Sequence, residues 1–393
     1  MDMTAAAHPS SPIADGPVGP VATGPRDPHD RAGRRLRSLD LLRGVTVAGM
    51  ITVNATAGVQ GMDKPVFAPL LHADWAGFTL ADTVFPAFLT MVGVSIAISA
   101  KPDAGGAAAT RRVLARAGRM ILLGLLLGHM FFLADFHKYV PRLPGVLQRI
   151  GIVFAICAIL YPRMSGRARA IAAGALLVGY WGLCLLPMPD GSATDLWVQG
   201  HNFVSWVDRE VFGNWRYVKG PDGYDPEGLL GTLPAIAQGL LGTLTGDYLR
   251  RGLPVPAAAK RLFVAGVAGM AAGLAWGLVF PIAKNLWTSS FVLLSTGLTV
   301  ALLGAFHAWF DRDDRPATKG DLFGSFGRNA IAAYVLHDLA SIILTGDAIQ
   351  LPFRWLAPVT GTQVAALAPV AIFVAIVWYP IAYMDKRGWY LRV

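Results

Sequence analysis

Apolar positions run through this chain in long blocks, and the breaks between blocks are short, polar and, in every second case, basic. A helix needs about 20 apolar residues to cover the ~30 Å hydrocarbon layer of a bilayer. Blocks of that kind lie near 40–58, 80–100, 116–134, 147–162, 169–187, 229–249, 262–282, 289–310, 327–346 and 364–384. The pattern predicts an all-α, polytopic transmembrane bundle of about ten helices over 34–393. Pro86, Pro234 and Pro281 interrupt some blocks, which membrane helices tolerate when neighbours satisfy the freed backbone groups. Residues 1–33 are rich in Ala, Pro, Gly and Asp, with no apolar core ahead of a cleavage site. They read as a disordered cytoplasmic tail and not as a signal peptide.

The charges give an orientation. One set of connections holds Arg34, Arg35 and Arg37, then Arg111, Arg112, Arg116 and Arg119, then Arg163, Arg167 and Arg169. It continues with Arg250, Arg251, Lys260 and Arg261, then Arg312 and Arg315, and ends with Lys386 and Arg387. Basic connections stay in the cytoplasm, so both termini are expected there and the loops around 59–79, 135–146, 188–228, 283–288 and 347–363 face outward. The implied location is the inner membrane, with lipid as a partner.

Composition agrees with this picture and narrows the chemistry. Hydrophobic residues make up 54% of the 393 and charged residues 15%, well under the quarter or so of a soluble domain. The net charge of +9 is split among the connections and forms no stripe. No zinc spacing or RNP-like motif appears, so nucleic acid is not an expected partner. Cys157 and Cys184 lie inside apolar blocks, as small hydrophobes do, and no Cys/His cluster suggests a metal.

Polar groups inside or at the ends of apolar blocks are costly, and they are where function is sought. The densest group is Leu71-His72-Ala73-Asp74-Trp75-Ala76-Gly77-Phe78-Thr79-Leu80-Ala81-Asp82. A neutral imidazole at His72 can take a proton from an amine or attack an acyl carbonyl. Either Asp74 or Asp82 can orient it. Asn54, near the end of the preceding helix, reads as interhelical glue. Asp40 and Arg43 share a helix face and can neutralise one another. Gln148-Arg149 opens the fourth helix, and a guanidinium there needs a carboxylate or an anion. Asp225-Pro226-Glu227-Gly228 caps the sixth helix or faces a ligand. Lys284-Asn285-Leu286-Trp287-Thr288 forms a donor-rich turn before the eighth. The loop 188–228 carries Trp197, Trp206, Trp215, Tyr217 and Tyr224, suited to a sugar ring or to the membrane interface. His129 and His337 read as hydrogen-bonded core histidines.

Taken in order, several of these segments resemble the heparan-α-glucosaminide N-acetyltransferase family, including its shorter bacterial forms. The resemblance is carried by Leu36 to Gly44, Val53-Asn54, His72 to Pro86, Gly145 to Ile150, Asp225 to Ile236 and Lys284 to Ser290. It implies transfer of an acetyl group from cytoplasmic acetyl-CoA, the one cosubstrate expected, to the amine of a glucosamine-type sugar or glycan across the membrane. It implies a catalytic set of His72, Asn54, Asp74 and Asp82. Asp40, Arg43, Arg149, Lys284 and Asn285 are then expected at the acetyl-CoA, and Trp75, Gln148, Glu227 and Trp287 at the acceptor, with a homodimer open. The likeness to the bacterial forms makes a cell-wall amino sugar, a glucosamine-containing oligosaccharide or a surface polysaccharide the expected acceptor. The rival reading is a permease for amino sugars or their oligosaccharides, which needs no thioester.

Overall fold

The computed structural model describes residues 36–60, 66–101, 105–130, 141–312 and 318–391. The amino-terminal tail expected over 1–33 lies outside them. Among the described residues the regular structure is helical throughout. In chain order come α1 (Arg37–Gln60), α2 (Val84–Ser99), α3 (Ala107–Gly128), α4 (Val146–Leu160), α5 (Gly166–Cys184), α6 (Phe203–Phe212) and α7 (Thr232–Arg250). They are followed by α8 (Val255–Trp276), α9 (Ser289–Phe310), α10 (Leu322–Arg328), α11 (Ala330–Ala340), α12 (Asp347–Thr360), α13 (Thr362–Ala365) and α14 (Leu367–Arg387).

Helices therefore stand where the apolar blocks predict them. Among the described residues, four are long and apolar enough to cross a membrane: Ala81–Ser99, Val255–Trp276, Ser289–Phe310 and Thr362–Arg387. A fifth follows if Ala330–Leu344 and Asp347–Thr360, bent by 69° at their junction, count as one broken span. The others fall short for visible reasons. Helix α3 carries Arg111, Arg112, Arg116 and Arg119, and α4 has only 15 residues. Helix α7 is diluted by Gln238 and several Gly and Thr. The stretch 347–363, expected to be a loop, is mostly helix α12, and its break from the preceding turn is closed by the Gln350 side-chain amide donating to the Leu344 carbonyl at 3.1 Å.

Two apolar cores hold the bundle. One gathers Leu89, Val153, Leu177, Leu240 and Phe291 from α2, α4, α5, α7 and α9. The other gathers Val47, Ile51, Phe326, Phe373 and Val377 from α1, α10 and α14. The closest seams are backbone on backbone. A Cβ added at Gly93 of α2 would overlap the Gly239 carbonyl of α7, and one at Gly44 of α1 would overlap the Phe323 carbonyl of α10. Small residues permit such approach where lipid supplies no hydrophobic drive between helices. Gly93→Val is expected to destabilise by about 3 kcal/mol or more through overpacking. Thermal melts of the purified variant check this, and an unchanged melt would mean that α2 and α7 part without cost.

One polar side chain ties the larger core to the next section's residues. Gln238, fully buried, donates to the Pro86 carbonyl at 3.1 Å and to Thr90 and Ser295 at 3.3 Å, while its carbonyl oxygen accepts the Trp287 indole N–H at 3.1 Å.

Candidate active site

The segment ahead of α2 is short, turn-rich and held by one carboxylate. Asp82 is fully buried, and its Oδ2 accepts from the backbone N–H of Thr79 (3.0 Å), the Thr79 hydroxyl (3.0 Å) and the backbone N–H of Ala73 (3.3 Å). With one oxygen so occupied, the other is aimed at His72, whose Nδ1 lies 2.8 Å away. Asp82 can only accept, so Nδ1 carries the proton and Nε2 keeps its lone pair. Of the two carboxylates the sequence offered, Asp82 is the one on the imidazole. Asp74 is exposed, and its backbone carbonyl accepts from the Asn285 side chain at 2.7 Å.

Across from Nε2 stands Lys284, its Nζ 3.0 Å from Nε2 and 3.2 Å from Nδ1. Lys284 and Asn285 sit in the turn between α8 and α9. That turn is strained: Trp287 has φ 53°, a left-handed conformation uncommon for a bulky residue. It is held there by Gln238 and by edge-on packing against Phe85 and Phe291 at 4.8 and 5.3 Å. Thr288 ends the turn by capping α9, accepting from the Phe291 N–H. Burial lowers the Lys284 ammonium below the ordinary lysine range, in spite of Glu227 and Asp82 nearby.

The third component is the loop 225–231 ahead of α7. Arg142 donates to Asp225 at 2.5 and 3.0 Å and to Glu227, and its guanidinium lies over the Tyr217 ring at 4.6 Å. Burial pushes the Glu227 carboxyl upward, but Arg142, Arg149 and Lys284 together hold it below the usual range. Arg149 is buried, donates to the carbonyls of Pro226 (2.8 Å) and Gly228 (3.1 Å), and lies 5.0 Å from the centre of the Trp287 ring. Beneath the loop, Asp208 of α6 accepts from the backbone N–H groups of Asp225 (3.3 Å) and Leu229 (3.1 Å).

Asp208 gives this loop a pH dependence. Burial raises its carboxyl to about 7, over the two N–H donors and Arg149, with Asp225 adding to the rise. The unfolded chain ionises near the ordinary value of 3.8. Between these values the unfolded state releases a proton that the folded state keeps, so stability falls as pH rises from about 4 to about 7 and then levels. Asp208→Asn is expected to flatten that fall in melts taken from pH 5 to pH 8. An unaltered slope would take Asp208 out of the account.

The structure thus joins His72, Asp82, Lys284, Asn285 and the backbone of Asp74, with Glu227 acting on the Lys284 charge and Arg149 lying over Trp287 of the same turn. Asp40 and Arg43 are elsewhere: Arg43 donates to Ser95 at 2.7 Å, near the far end of α2. Trp75 and Trp287 are buried, Trp75 donating its N–H to the Leu196 carbonyl at 3.0 Å, so both shape the site from behind instead of lining it. Gln148 faces α3, against Gly124 and the Leu143 carbonyl. Asn54 is an exposed residue of α1, the helix that touches the turns at Ala68–Leu70 and Ala81–Thr83. Arg142, Asp208 and Gln238 were not singled out from sequence. Gln238 could have been, as a lone amide inside an apolar block. The other two are ordinary loop charges until the fold brings distant loops together.

Similarity to known proteins adds to this geometry. Residues 35–203 match the family described as heparan-alpha-glucosaminide N-acetyltransferase, catalytic. The human heparan-alpha-glucosaminide N-acetyltransferase is 26% identical over 418 residues, covering 90% of this chain and 59% of its own length. The mouse protein of the same name is 24% identical over 378 residues, covering 82% and 55%. Over residues 35–203 the chain is similar to this catalytic family. It spans somewhat over half the length of these two relatives. The family segment contains the His72–Asp82 pair and Arg149 but stops short of Glu227 and Lys284. Lys284 meets the pair through His72, and Glu227 acts on the Lys284 charge.

Proposed function

We propose that the chain is a membrane-embedded N-acetyltransferase that moves acetyl from cytoplasmic acetyl-CoA to the amine of a glucosamine-type sugar on the opposite side. The observation that carries this reading is the imidazole of His72, fixed by Asp82 with its free Nε2 next to an amine. In direct transfer, Nε2 takes the proton of the acceptor amine as that nitrogen attacks the thioester carbonyl, and the departing thiolate recovers a proton from the imidazolium. In a two-step route, Nε2 itself attacks and the thiolate leaves; the acetyl-imidazole then passes its acyl group to the amine, and the proton the amine loses balances the one the thiolate takes up from solvent. Both routes use the same tautomer, which is why Asp82 matters to either. Asp82→Asn is expected to lower turnover on the order of 10²-fold, because an amide can present its N–H to Nδ1 and invert the tautomer. Turnover at the wild-type level would remove Asp82 from the mechanism.

The arrangement of charges supports the sidedness. Arg169 donates to Asp247 (2.5 Å) and Thr243 (2.7 Å), Tyr161 donates to Asp247 (2.6 Å), and Arg250 donates to Tyr161 (3.0 Å) and the Ala97 carbonyl (3.2 Å). These close the ends of α2, α4 and α7 remote from His72 and belong to the basic set expected in the cytoplasm. Helix α2 has 16 residues, so the two ends lie ~24 Å apart along it. The basic end draws the phosphates of acetyl-CoA, where Asp40 and Arg43 lie. The flexible arm carries the thioester toward His72, where Asn54 is proposed to face the developing oxyanion and Lys284, Asn285 and Glu227 to border the amine.

The deciding experiment follows free CoA released by the purified protein in nanodiscs, with and without glucosamine. Acetyl-CoA binding and glucosamine-dependent CoA release are expected. No acetyl-CoA binding over a broad concentration range would overturn the reading in favour of a sugar permease, to be assayed by uptake into proteoliposomes.

A further inference from the structure

We propose that Lys284 is a self-acetylation site: its Nζ, 3.0 Å from Nε2 and 3.2 Å from Nδ1 of His72, lies over the ring face, one side-chain rotation from the in-plane lone pair of Nε2, and receives the acetyl group when no acceptor is present. The inference rests on the transferase reading and adds a reaction of the enzyme on itself.

The geometry meets the requirements of the proposed acceptor without any movement of the turn. An attacking amine must lie within hydrogen-bond reach of the base that takes its proton, about 2.6–3.2 Å, and Lys284 does. The turn is braced by Trp287, Gln238 and the Thr288 cap, so the amine is held and does not sweep past as an exposed lysine would. Only a neutral amine is nucleophilic, and the half-buried position that lowers the Lys284 ammonium increases that fraction. Lys101, Lys260 and Lys386 are exposed and have no such neighbour among the described residues, which makes them internal controls.

The chemistry balances with acetyl-CoA alone. The Nζ–carbonyl bond forms and the carbon–sulfur bond breaks. One Nζ proton passes to Nε2 and from there to the thiolate, giving N-acetyl-lysine and free CoA. The product is an uncharged amide. It no longer offers an ammonium to Nε2 or to Glu227, and its bulk fills the acceptor position, so the modified enzyme is expected to be inactive toward sugar.

The test incubates the full chain in nanodiscs with isotopically heavy acetyl-CoA and maps lysines by peptide mass spectrometry, with light acetyl already on the isolated protein counted as well. Lys284 is expected to acquire acetyl on the order of tenfold or more faster than Lys260 or Lys386. Glucosamine is expected to slow it, and both His72→Ala and Asp82→Asn to bring it to the background rate, with size exclusion confirming folded protein. Transfer to glucosamine by a wild type whose Lys284 stays at background overturns the proposal and leaves the transferase reading standing. Acetylation of Lys284 at an unchanged rate in both folded variants also overturns it, as ordinary lysine reactivity. Neither transfer nor labelling removes the transferase reading and the proposal with it.

Discussion

Replacing His72 by alanine is expected to cut acetyl transfer to glucosamine by ~10³-fold, the usual worth of a positioned acid–base group. The melting profile is expected to stay close to wild type. The imidazole is a third exposed and sits on a segment whose conformation is set by Asp82 through Thr79 and Ala73, so the loop has its own supports. Acetyl-CoA affinity is expected to change little, since the role proposed for His72 is at the thioester and not at the nucleotide. CoA-release assays beside equilibrium binding separate these quantities. Wild-type turnover in a folded variant would dismiss His72 from catalysis and with it the central assignment.

The second large effect concerns stability. Arg142→Ala is expected to destabilise the protein by about 3–5 kcal/mol, the range for removing one partner of a buried ion pair. Arg142 bridges two carboxylates that have almost no contact with solvent, Asp225 at 0% and Glu227 at 7% side-chain exposure. Arg149 acts on Glu227 through its charge alone, its hydrogen bonds going to the Pro226 and Gly228 carbonyls. Neutralising both carboxylates as well, in Arg142→Met with Asp225→Asn and Glu227→Gln, is expected to recover a good part of the loss. Denaturant titrations measure both. A mild effect of the single substitution would show that water reaches the loop and screens it.

The sequence was most informative where function and local pattern coincide. The His72–Asp82 pair lies within eleven consecutive residues bounded by apolar blocks, so its chemistry could be proposed from spacing, and the fold had only to choose Asp82 over Asp74. The helices, too, were visible as apolar blocks. Fewer of them stand out as crossings by length and apolarity, because blocks such as 116–134 and 229–249 include charge, glycine and amides that lower their apolarity once helix ends are fixed. What pattern could not give was contact at long range. Lys284 lies 212 residues from His72, and Arg142 lies 83 residues from Asp225. Arg142 is an unremarkable loop charge by itself, and the donor-rich turn of Lys284 gave no sign that His72 is its neighbour. Trp75 and Trp287 show the opposite failure: aromatic residues in a polar motif look like ligand contacts, yet their bulk is better used under the site than on it.

The glycine seams bear on how accurately all of this is placed. Where α2 meets α7, at Gly93, Gly242 and Gly246, the spacing is fixed by peptide planes touching peptide planes. Peptide planes have no rotamers. A side-chain interface can absorb a shift of half an ångström by turning a few bonds, whereas this one can only stay shut or come apart. Asp82 just ahead of α2 and Glu227 just ahead of α7 therefore inherit their separation from covalent geometry, with little tolerance to lose along the way.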